Sequence, residues 1–361
     1  MKKLLILILS LALAVMMFSC GSNKKGDSKA QKSSQGGTKL TAAGASFPYP
    51  LYDKMFKNYS QQNDIQINYR PIGSGGGIRQ IKNKIVDFAG TDAFIKDKQM
   101  KNVDGNILHI PTCIGAVVVS YNVDIGNASL KLTSDVLADI FLGNITKWND
   151  PAIKKINPKA DLPDQEITVV HRADGSGTTF IFSDYLSKVS NEWRTKVGAG
   201  KSLSWPVGLG GKANAGVAGL IKQQPGSIGY VEYIYAKQNN LPVSVIQNKS
   251  GNYVSPSVKS CSKAAEIDIP KDTRVTITNT DAPQGYPITS FTWLVLYKEQ
   301  NYGSNTLKKT QAKLDLLWWM IHDGQKYTKQ LDYAPLPENA IKRAEKILKS
   351  VTFDGKKVLE K

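Results

Sequence analysis

The stretch "ITVVHRADGSGTTFIFSDYLSKV", residues 167–189, predicts a strand, a glycine-rich turn and a helix in direct succession. The turn places Arg172 four residues before Ser176, and the helix that begins near Thr178 has free N–H groups and a partial positive charge. A guanidinium can grip two oxygens at once, and a helix N-terminus favours an anion, so the stretch indicates a site for a small oxyanion. Asp174 is placed to hold Arg172 steady. The alternative is a surface ion pair, which would contribute little.

Two further segments repeat this design. Residues 44–56, "GASFPYPLYDKMF", place Ser46 ahead of a proline that suits the first turn of a helix. Residues 73–81, "GSGGGIRQI", place Ser74 and three glycines ahead of another helix. Glycines let the backbone come close to a ligand, so three converging turns of this kind would surround an anion with neutral donors. Taken singly, Ser46 and Ser74 could equally be helix caps.

Asp92 ends the predicted strand "VDFAGTD", residues 86–92. A carboxylate in an anion site is useful only if the ligand carries a proton to donate. Phosphate near neutral pH carries one or two protons and sulfate carries none, so a buried Asp92 would repel sulfate. The alternative is that Asp92 caps the segment that follows it.

Strand-like and helix-like patterns alternate along the chain, which is typical of α/β domains with largely parallel sheets. More than 300 residues follow Leu40 with ordinary apolar content, and this length fits two domains. Ile78, Ile81 and Ile85 predict the apolar face of a helix over residues 78–85. Gly324 is the expected end of a long helix near the C-terminus.

The first residues predict export and a lipid anchor. Residues 1–19 have a basic start and an apolar run shorter than the roughly 20 residues of a membrane-spanning helix, so they are typical of a signal peptide. An uncleaved membrane anchor is the alternative. Cys20 is similar to the acylated first residue of a bacterial lipoprotein, although Met-Phe-Ser at residues 17–19 departs from the usual leucine-led pattern. The polar composition of residues 20–39 predicts a flexible linker.

The composition restricts the classes of ligand and cofactor. The formal charge is +17, but the lysines are scattered and the chain is expected to be exported, which disfavours nucleic acid as a partner. Three widely separated histidines argue against a metal site, and no cofactor is expected. Cys113 and Cys261 could form a disulfide in an exported protein, but two unpaired thiols are the preferred interpretation.

The sequence contains none of the catalytic motifs that its glycine-rich turns and Ser176 could suggest. The chain has no G-x-x-x-x-G-K-[ST] loop, and the spacing around Ser176 is not G-x-S-x-G. His171 is the only histidine close to Ser176 in sequence, and it alternates with Arg172 on a strand, so the two side chains should point to opposite faces. A phosphoester hydrolase would need a nucleophile with a base, or metals, and we expect no enzyme.

Long blocks of the chain resemble one known family. The blocks include "TAAGASFPYPLYDKMF", "VDFAGTDA", "FLGNITKWNDPAI", "VVHRADGSGTTFIFSDYL", "WPVGLGGKANAGVAGLIKQQPGSIGYVEYIYAKQNNL" and "LDYAPLP". The chain is similar to the periplasmic phosphate-binding protein of the bacterial high-affinity phosphate ABC transporter, from about Leu40 to beyond Pro337. The resemblance implies an α/β, two-lobed, type II (Venus-flytrap) periplasmic binding protein, with two mixed or parallel sheets and hinge strands. The expected lobes are residues 40–121 plus 289–361 and residues 122–288.

The resemblance also implies the ligands and the partners. Inorganic phosphate would be bound by Ser46, Phe47, Ser74, Asp92, Arg172, Ser176, Gly177 and Thr178, with Asp174 orienting Arg172. The implied protein is a monomer, held on the periplasmic face of the cell envelope by a lipid on Cys20. It hands phosphate to the permease subunits of an ABC transporter. A receptor for sulfate or molybdate, and a phosphate sensor without a transport role, are the alternatives.

Overall fold

The computed structural model describes residues 37–101 and 103–360. The expected signal peptide (1–19), the lipidation residue Cys20 and most of the expected linker (20–39) lie outside the described residues. The first described strand begins at Thr38, so it includes the last two residues of the predicted linker.

The strands differ widely in length, and the longest is β4 with 16 residues. They are β1 (Thr38–Gly44), β2 (Ile65–Arg70), β3 (Phe88–Thr91), β4 (Ile107–Asn122), β5 (Lys131–Leu132), β6 (Thr168–Arg172), β7 (Leu209–Gly211), β8 (Ser227–Glu232), β9 (Val245–Gln247), β10 (Tyr253–Val254), β11 (Thr289–Tyr297), β12 (Thr352–Phe353) and β13 (Lys356–Lys357).

The helices lie between these strands and at the C-terminal end. They are α1 (Tyr49–Gln62), α2 (Ser74–Lys82), α3 (Asp97–Met100), α4 (Ser134–Leu142), α5 (Pro151–Ile156), α6 (Gly177–Val189), α7 (Asn191–Lys196), α8 (Ala213–Gln223), α9 (Tyr233–Gln238), α10 (Val258–Ala264), α11 (Leu307–Ile321) and α12 (Glu338–Leu348), with two 3-10 helices at Asp323–Tyr327 and Lys329–Leu331.

Eight strands form one mixed sheet in the order β2-β1-β3-β11-β4-β8-β6-β7. The long strand β4 belongs to both parts of this sheet, since residues 107–116 pair with β11 and residues 117–122 pair with β8. On one side of β4, β1 is parallel to β2 and β3; on the other, β6 is parallel to β7 and β8. The predicted α/β class is confirmed, and the two expected sheets are joined through β4.

Two predicted helix ends need correction. The helix predicted over residues 78–85 instead begins at Ser74 and ends at Lys82, because Lys84 has a left-handed backbone (φ 56°) that ends the helical path. Ile85 therefore lies beyond the apolar face and is 59% exposed. Helix α11 ends at Ile321, and Gly324 lies inside the 3-10 helix that follows rather than at the helix end.

Other local predictions are confirmed. Gly143 ends α4 with a left-handed φ of 80°, as a C-terminal glycine should. Cys113 and Cys261 are both buried and unpaired, as the preferred interpretation expected. Within the described residues, no helix combines the length and the apolar content that crossing a membrane requires.

Candidate functional site

The carboxyl ends of the parallel strands bring the predicted residues together. Ser46 follows β1 by two residues, Ser74 begins α2 after β2, and Asp92 directly follows β3. In the other part of the sheet, Arg172 is the last residue of β6, and α6 begins five residues later at Gly177. Carboxyl ends of parallel strands followed by helices are the usual place for a ligand in α/β sheets.

Arg172 and Asp174 form a buried, bidentate ion pair. Arg172 Nε donates to Asp174 Oδ1 over 2.7 Å, and Nη2 donates to Oδ2 over 2.6 Å. The two side chains are 1% and 17% exposed, so the alternative of a surface pair is wrong. Burial acts to raise the pKa of Asp174, but the hydrogen bonds and charge of Arg172 outweigh it and hold this pKa below its usual value.

Asp92 is fully buried, and its carboxyl group accepts hydrogen bonds from two hydroxyl groups. Thr292 Oγ1 donates to Asp92 Oδ1 over 2.7 Å, and Ser74 Oγ donates to Oδ2 over 3.3 Å. Burial raises the pKa of Asp92 to about 7, although Thr292, Arg172 and Ser74 act to lower it. Asp92 therefore exchanges a proton in the pH range in which phosphate does.

Asp92 does not cap a following helix, since its side chain contacts Ser74 and Thr292 instead. The capping alternatives for Ser46 and Ser74 are also wrong. Helix α1 has Pro48 at its N-cap, and α2 has Gly73 there, in both cases without a side-chain hydrogen bond.

Ser176 differs from the other two serines because it is a helix cap. Its Oγ accepts a hydrogen bond from Thr179 N over 3.0 Å at the start of α6. The N–H of Ser176 donates to Lys201 O over 2.8 Å, so this N–H is already used inside the protein. Only the hydroxyl hydrogen of Ser176 is left to reach a ligand.

Five of the predicted site residues are buried and have a backbone N–H group without an acceptor within the part of the chain that the structure describes. They are Ser46, Phe47, Ser74, Gly177 and Thr178. Buried N–H groups without a partner are rare in folded proteins, and here they accompany the guanidinium of Arg172. A small oxyanion would satisfy all of them. We call these groups together with Arg172 and Asp92 the donor cage.

The two parts of the cage are in close contact. Gly75 N donates to Gly175 O over 2.8 Å, which ties the start of α2 to the turn before α6. At Gly177 the approach is so close that a Cβ atom would lie 2.4 Å from both Asp92 Oδ2 and Ser74 Oγ. Only glycine fits this position in the observed arrangement.

Sequence reasoning missed the residues that support the cage. Asn214 in α8 donates to the hydroxyls of Ser46 and Thr178, and Thr292 in β11 donates to Asp92. Tyr235 and Tyr333 donate to the carbonyl oxygens of Ser46 and Phe47, respectively. The run "GGKANAGVAG" around Asn214 is glycine-rich like the other turns and was the signal that could have found it.

His171 faces away from the cage, as its alternation with Arg172 predicted. Its ring stacks on Trp205 with ring centroids 4.7 Å apart. Within the described residues, no group of three or more histidine, cysteine, aspartate or glutamate side chains could hold a metal ion.

Comparisons with known proteins show the family to which the chain belongs. The family model of the PBP superfamily domain matches residues 29–313. The phosphate-binding protein PstS of Pasteurella multocida (strain Pm70) is 45% identical over 308 residues, which cover 84% of this chain and 88% of the relative. PstS of Xylella fastidiosa (strain 9a5c) is 43% identical over 333 residues, covering 91% and 90%.

A solved structure shares the fold at lower identity. The high-affinity periplasmic phosphate-binding protein PfluDING, bound with phosphate at pH 8.5, has a TM-score of 0.67 and 19% identity, covering 85% of this chain and 93% of its own. The fold and the donor cage define a binding protein of the PBP superfamily. More narrowly, the chain belongs to the PstS family of phosphate-binding proteins, which confirms the resemblance seen in the sequence.

Proposed function

We propose that this protein binds inorganic phosphate in the donor cage and delivers it to a membrane ABC permease for import. One observation carries the proposal: a buried carboxyl group, Asp92, shares the cage with a guanidinium and five unpaired N–H groups. The donors match the oxygens of a tetrahedral anion. The carboxylate matches a proton on that anion.

Asp92 is the element that selects phosphate over sulfate. A monoprotonated phosphate donates its hydrogen to the Asp92 carboxylate and accepts from the remaining donors. Sulfate has no hydrogen to donate, so its oxygen would face the carboxylate across a buried contact. Leaving the Asp92 carboxylate buried without a partner costs several kcal/mol. This cost would lower the affinity for sulfate by a factor on the order of a thousand relative to phosphate.

Each predicted ligand has a distinct role in this proposal. Ser46 and Thr178 offer a hydroxyl and an N–H each, and Phe47 and Gly177 offer their N–H. Arg172 binds two oxygens with the one hydrogen on Nη1 and the one on Nη2 that Thr178 and Asp174 leave free. Ser74 offers its N–H, because its hydroxyl already donates to Asp92. Ser176 offers its hydroxyl hydrogen. Asp174 orients Arg172 without touching the ion.

We assign residues 40–121 plus 289–361 to one lobe and residues 122–288 to the other. The change of partner along β4, from β11 to β8, supports a hinge close to this boundary. In this assignment Ser46, Ser74 and Asp92 belong to the first lobe, and Arg172 and Thr178 to the second. The ion contacts both lobes and therefore stabilises the closed form.

The location and the binding role complete the proposal. Residues 1–19 serve as the signal peptide, and a lipid on Cys20 with the linker over residues 20–39 holds a monomeric receptor on the periplasmic face of the membrane. We propose binding rather than catalysis. In support, Ser176 Oγ accepts a backbone hydrogen bond and His171, the nearest histidine in sequence, stacks on Trp205 away from the cage.

Calorimetric titration with phosphate, and then with sulfate in excess, tests the proposal. We expect one phosphate site per chain and no heat from sulfate. In Asp92→Asn the amide can donate to an oxygen, so the preference for phosphate over sulfate should fall by at least about tenfold. Sulfate or molybdate binding as tight as phosphate in the unmodified protein would contradict the proposal, and an unchanged preference in Asp92→Asn would remove Asp92 from it.

A further inference from the structure

Asn214 is a fully buried side chain at the start of α8, and it contacts residues from both lobes of the proposed cage. The residue before it, Ala213, has a left-handed backbone with φ 58°, which is rare for a residue other than glycine. The N–H of Ala213 donates to Asp174 Oδ1 over 3.0 Å, and this bond holds the strained residue in place.

The orientation of the Asn214 amide follows from its neighbours. The backbone N–H of Glu232 lies 3.0 Å from Asn214 Oδ1, and a backbone N–H can only donate. The oxygen of the amide is therefore fixed on this side. The nitrogen Nδ2 faces the two hydroxyls, at 3.1 Å from Ser46 Oγ and 3.1 Å from Thr178 Oγ1.

The lone pairs of both hydroxyls are then fully used. Ser46 Oγ accepts from Asn214 Nδ2 and also from Asn214 N, over 3.2 Å. Thr178 Oγ1 accepts from Asn214 Nδ2 and also from Arg172 Nη1, over 3.3 Å. A hydroxyl has two lone pairs and one hydrogen. With both lone pairs taken, each group can only donate, and its hydrogen has no acceptor within the described part of the chain.

We propose that Asn214 is a positioning residue for the anion: it makes Ser46 and Thr178 donors only and links the two lobes through their hydroxyls. This inference rests on the proposed phosphate site. Because both hydroxyls can only donate, the oxygens of the ion that face them must be unprotonated. The proton of the ion is consequently directed to Asp92, the acceptor of the cage, and the ion binds in one orientation.

A structural brace would make the same contacts, so the test must reverse the direction of the hydrogen bonds. Asn214→Asp keeps the shape of the side chain and the bond from Glu232 N. Its carboxylate, however, accepts from Ser46 and Thr178 and turns both hydroxyl hydrogens away from the ion. At pH 8 we expect the dissociation constant for phosphate to rise by about 100-fold or more, since two hydrogen bonds to a charged ligand are lost.

Acidification should reverse part of this loss. Once the new carboxyl group is protonated, it can again donate to one hydroxyl. The charged or titratable groups around it are Arg172, Asp174, Glu232 and Tyr235, with Asp92 across the cage. Because these groups are present in both proteins, the readout is the ratio of the two dissociation constants. We expect the ratio to be at least about tenfold smaller at pH 5.5 than at pH 8.

Asn248→Asp is the matched control for an added buried carboxylate. Asn248 is also buried, and its Nδ2 donates to the carbonyl oxygens of Ala282, Pro283 and Gly285, away from the cage. This variant should lose stability while its phosphate affinity stays within about threefold of the parent. A similar loss of affinity in both variants would show that Asn214→Asp acts through general destabilisation, and would overturn the inference.

A double-mutant cycle keeps the inference testable if Asn214→Asp does not fold. Asn214→Ala and Ser46→Ala are measured singly and together by phosphate titration. If Asn214 acts through the Ser46 hydroxyl, the two single substitutions remove partly the same interaction. The dissociation constant of the double variant should then be at least about threefold lower than the value obtained by multiplying the two single fold-increases. Strict additivity, or an affinity in Asn214→Ala within about threefold of the parent, would refute the positioning role. Absence of phosphate binding in the parent would instead refute the proposed function.

Discussion

Replacing Gly177 by alanine gives a direct test of the contact between the two parts of the donor cage. The new Cβ atom would lie 2.4 Å from Asp92 Oδ2 and 2.4 Å from Ser74 Oγ, whereas ordinary contacts begin at 3.4 Å. Neither neighbour can retreat freely, because Thr292 holds Asp92 Oδ1 over 2.7 Å and Asp92 N donates to Ser74 Oγ over 3.2 Å. The start of α6 must therefore move about 1 Å away from Asp92 and Ser74 at this point.

A separation of this size removes hydrogen bonds rather than weakening them slightly. An N–H···O bond of about 2.9 Å becomes a contact of about 3.9 Å, which is no longer a hydrogen bond. If the donors of only one part of the cage keep contact with the ion, at least two bonds to a charged group are lost, at about 1.5–3 kcal/mol each. The dissociation constant for phosphate in Gly177→Ala should rise by about 100-fold to 10,000-fold.

Calorimetry on matched variants measures this effect. Gly219→Ala is the control, since a Cβ there has no atom within 4 Å and the residue lies inside α8. The control should bind phosphate like the parent and be more stable by about 0.5–1 kcal/mol, because alanine favours a helix. An affinity for phosphate within about threefold of the parent would refute the close approach on which the reasoning depends.

Three further predictions concern buried titratable groups. Burial raises the pKa of Asp92 to about 7, so without ligand the folded protein holds a proton that the unfolded chain releases above about pH 4. The free energy of unfolding, measured with urea, should therefore fall as the pH rises from 4 to 7. This fall should be absent in Asp92→Asn. Burial lowers the pKa of Lys313 to about 8, so the unfolded chain binds more protons from pH 8 to about 10 and stability should rise over that range. Lys313→Met should flatten this rise, and an unchanged slope would exclude Lys313 as its source. Burial raises the pKa of both thiols, that of Cys261 to about 12, so iodoacetamide at pH 8 should modify Cys113 and Cys261 only after unfolding, as mass spectrometry can show.

Local sequence signals were sufficient for the parts of the cage that depend on local structure. A strand followed by a glycine-rich turn and a helix fixes where Arg172 and Gly177 lie, because the strand end and the helix start are adjacent in the chain. The pairing of Arg172 with Asp174 spans two residues and could also be predicted. That the pair is buried could not, since burial depends on elements far away in sequence.

The missed residues are those whose role comes from tertiary contacts. Thr292 lies within the fully buried strand β11. The alternation of side chains along a strand does not indicate a binding role for a threonine at this position. It contacts Asp92 only because β11 pairs with β3. Asn214 begins a helix of small residues and meets Ser46, 168 residues away in the chain. No local spacing rule can relate two such positions.

The capping alternatives show why single motifs are weak evidence. Ser46, Ser74 and Ser176 stand in similar glycine-rich contexts, yet only Ser176 caps its helix with its side chain. The other two are released from capping because Pro48 and Gly73 occupy the N-cap positions. A hydroxyl that does not cap is free to serve the site, and this difference depends on where each helix begins, which sequence patterns place only to within a residue or two.

The cage has no net positive charge, and this determines how it can discriminate between anions. Asp174 balances Arg172 through two hydrogen bonds, and burial raises the pKa of Asp92. In the formal count Arg172, Asp174 and Asp92 sum to −1, so the positive net charge of the chain comes from residues outside the cage. An anion in the cage is held by N–H and O–H dipoles of fixed direction, so the match between donor positions and oxygens decides binding more than total charge does. In the proposed site, the single acceptor Asp92 has a large influence on selectivity, because it would contact the position at which phosphate and sulfate differ by a proton.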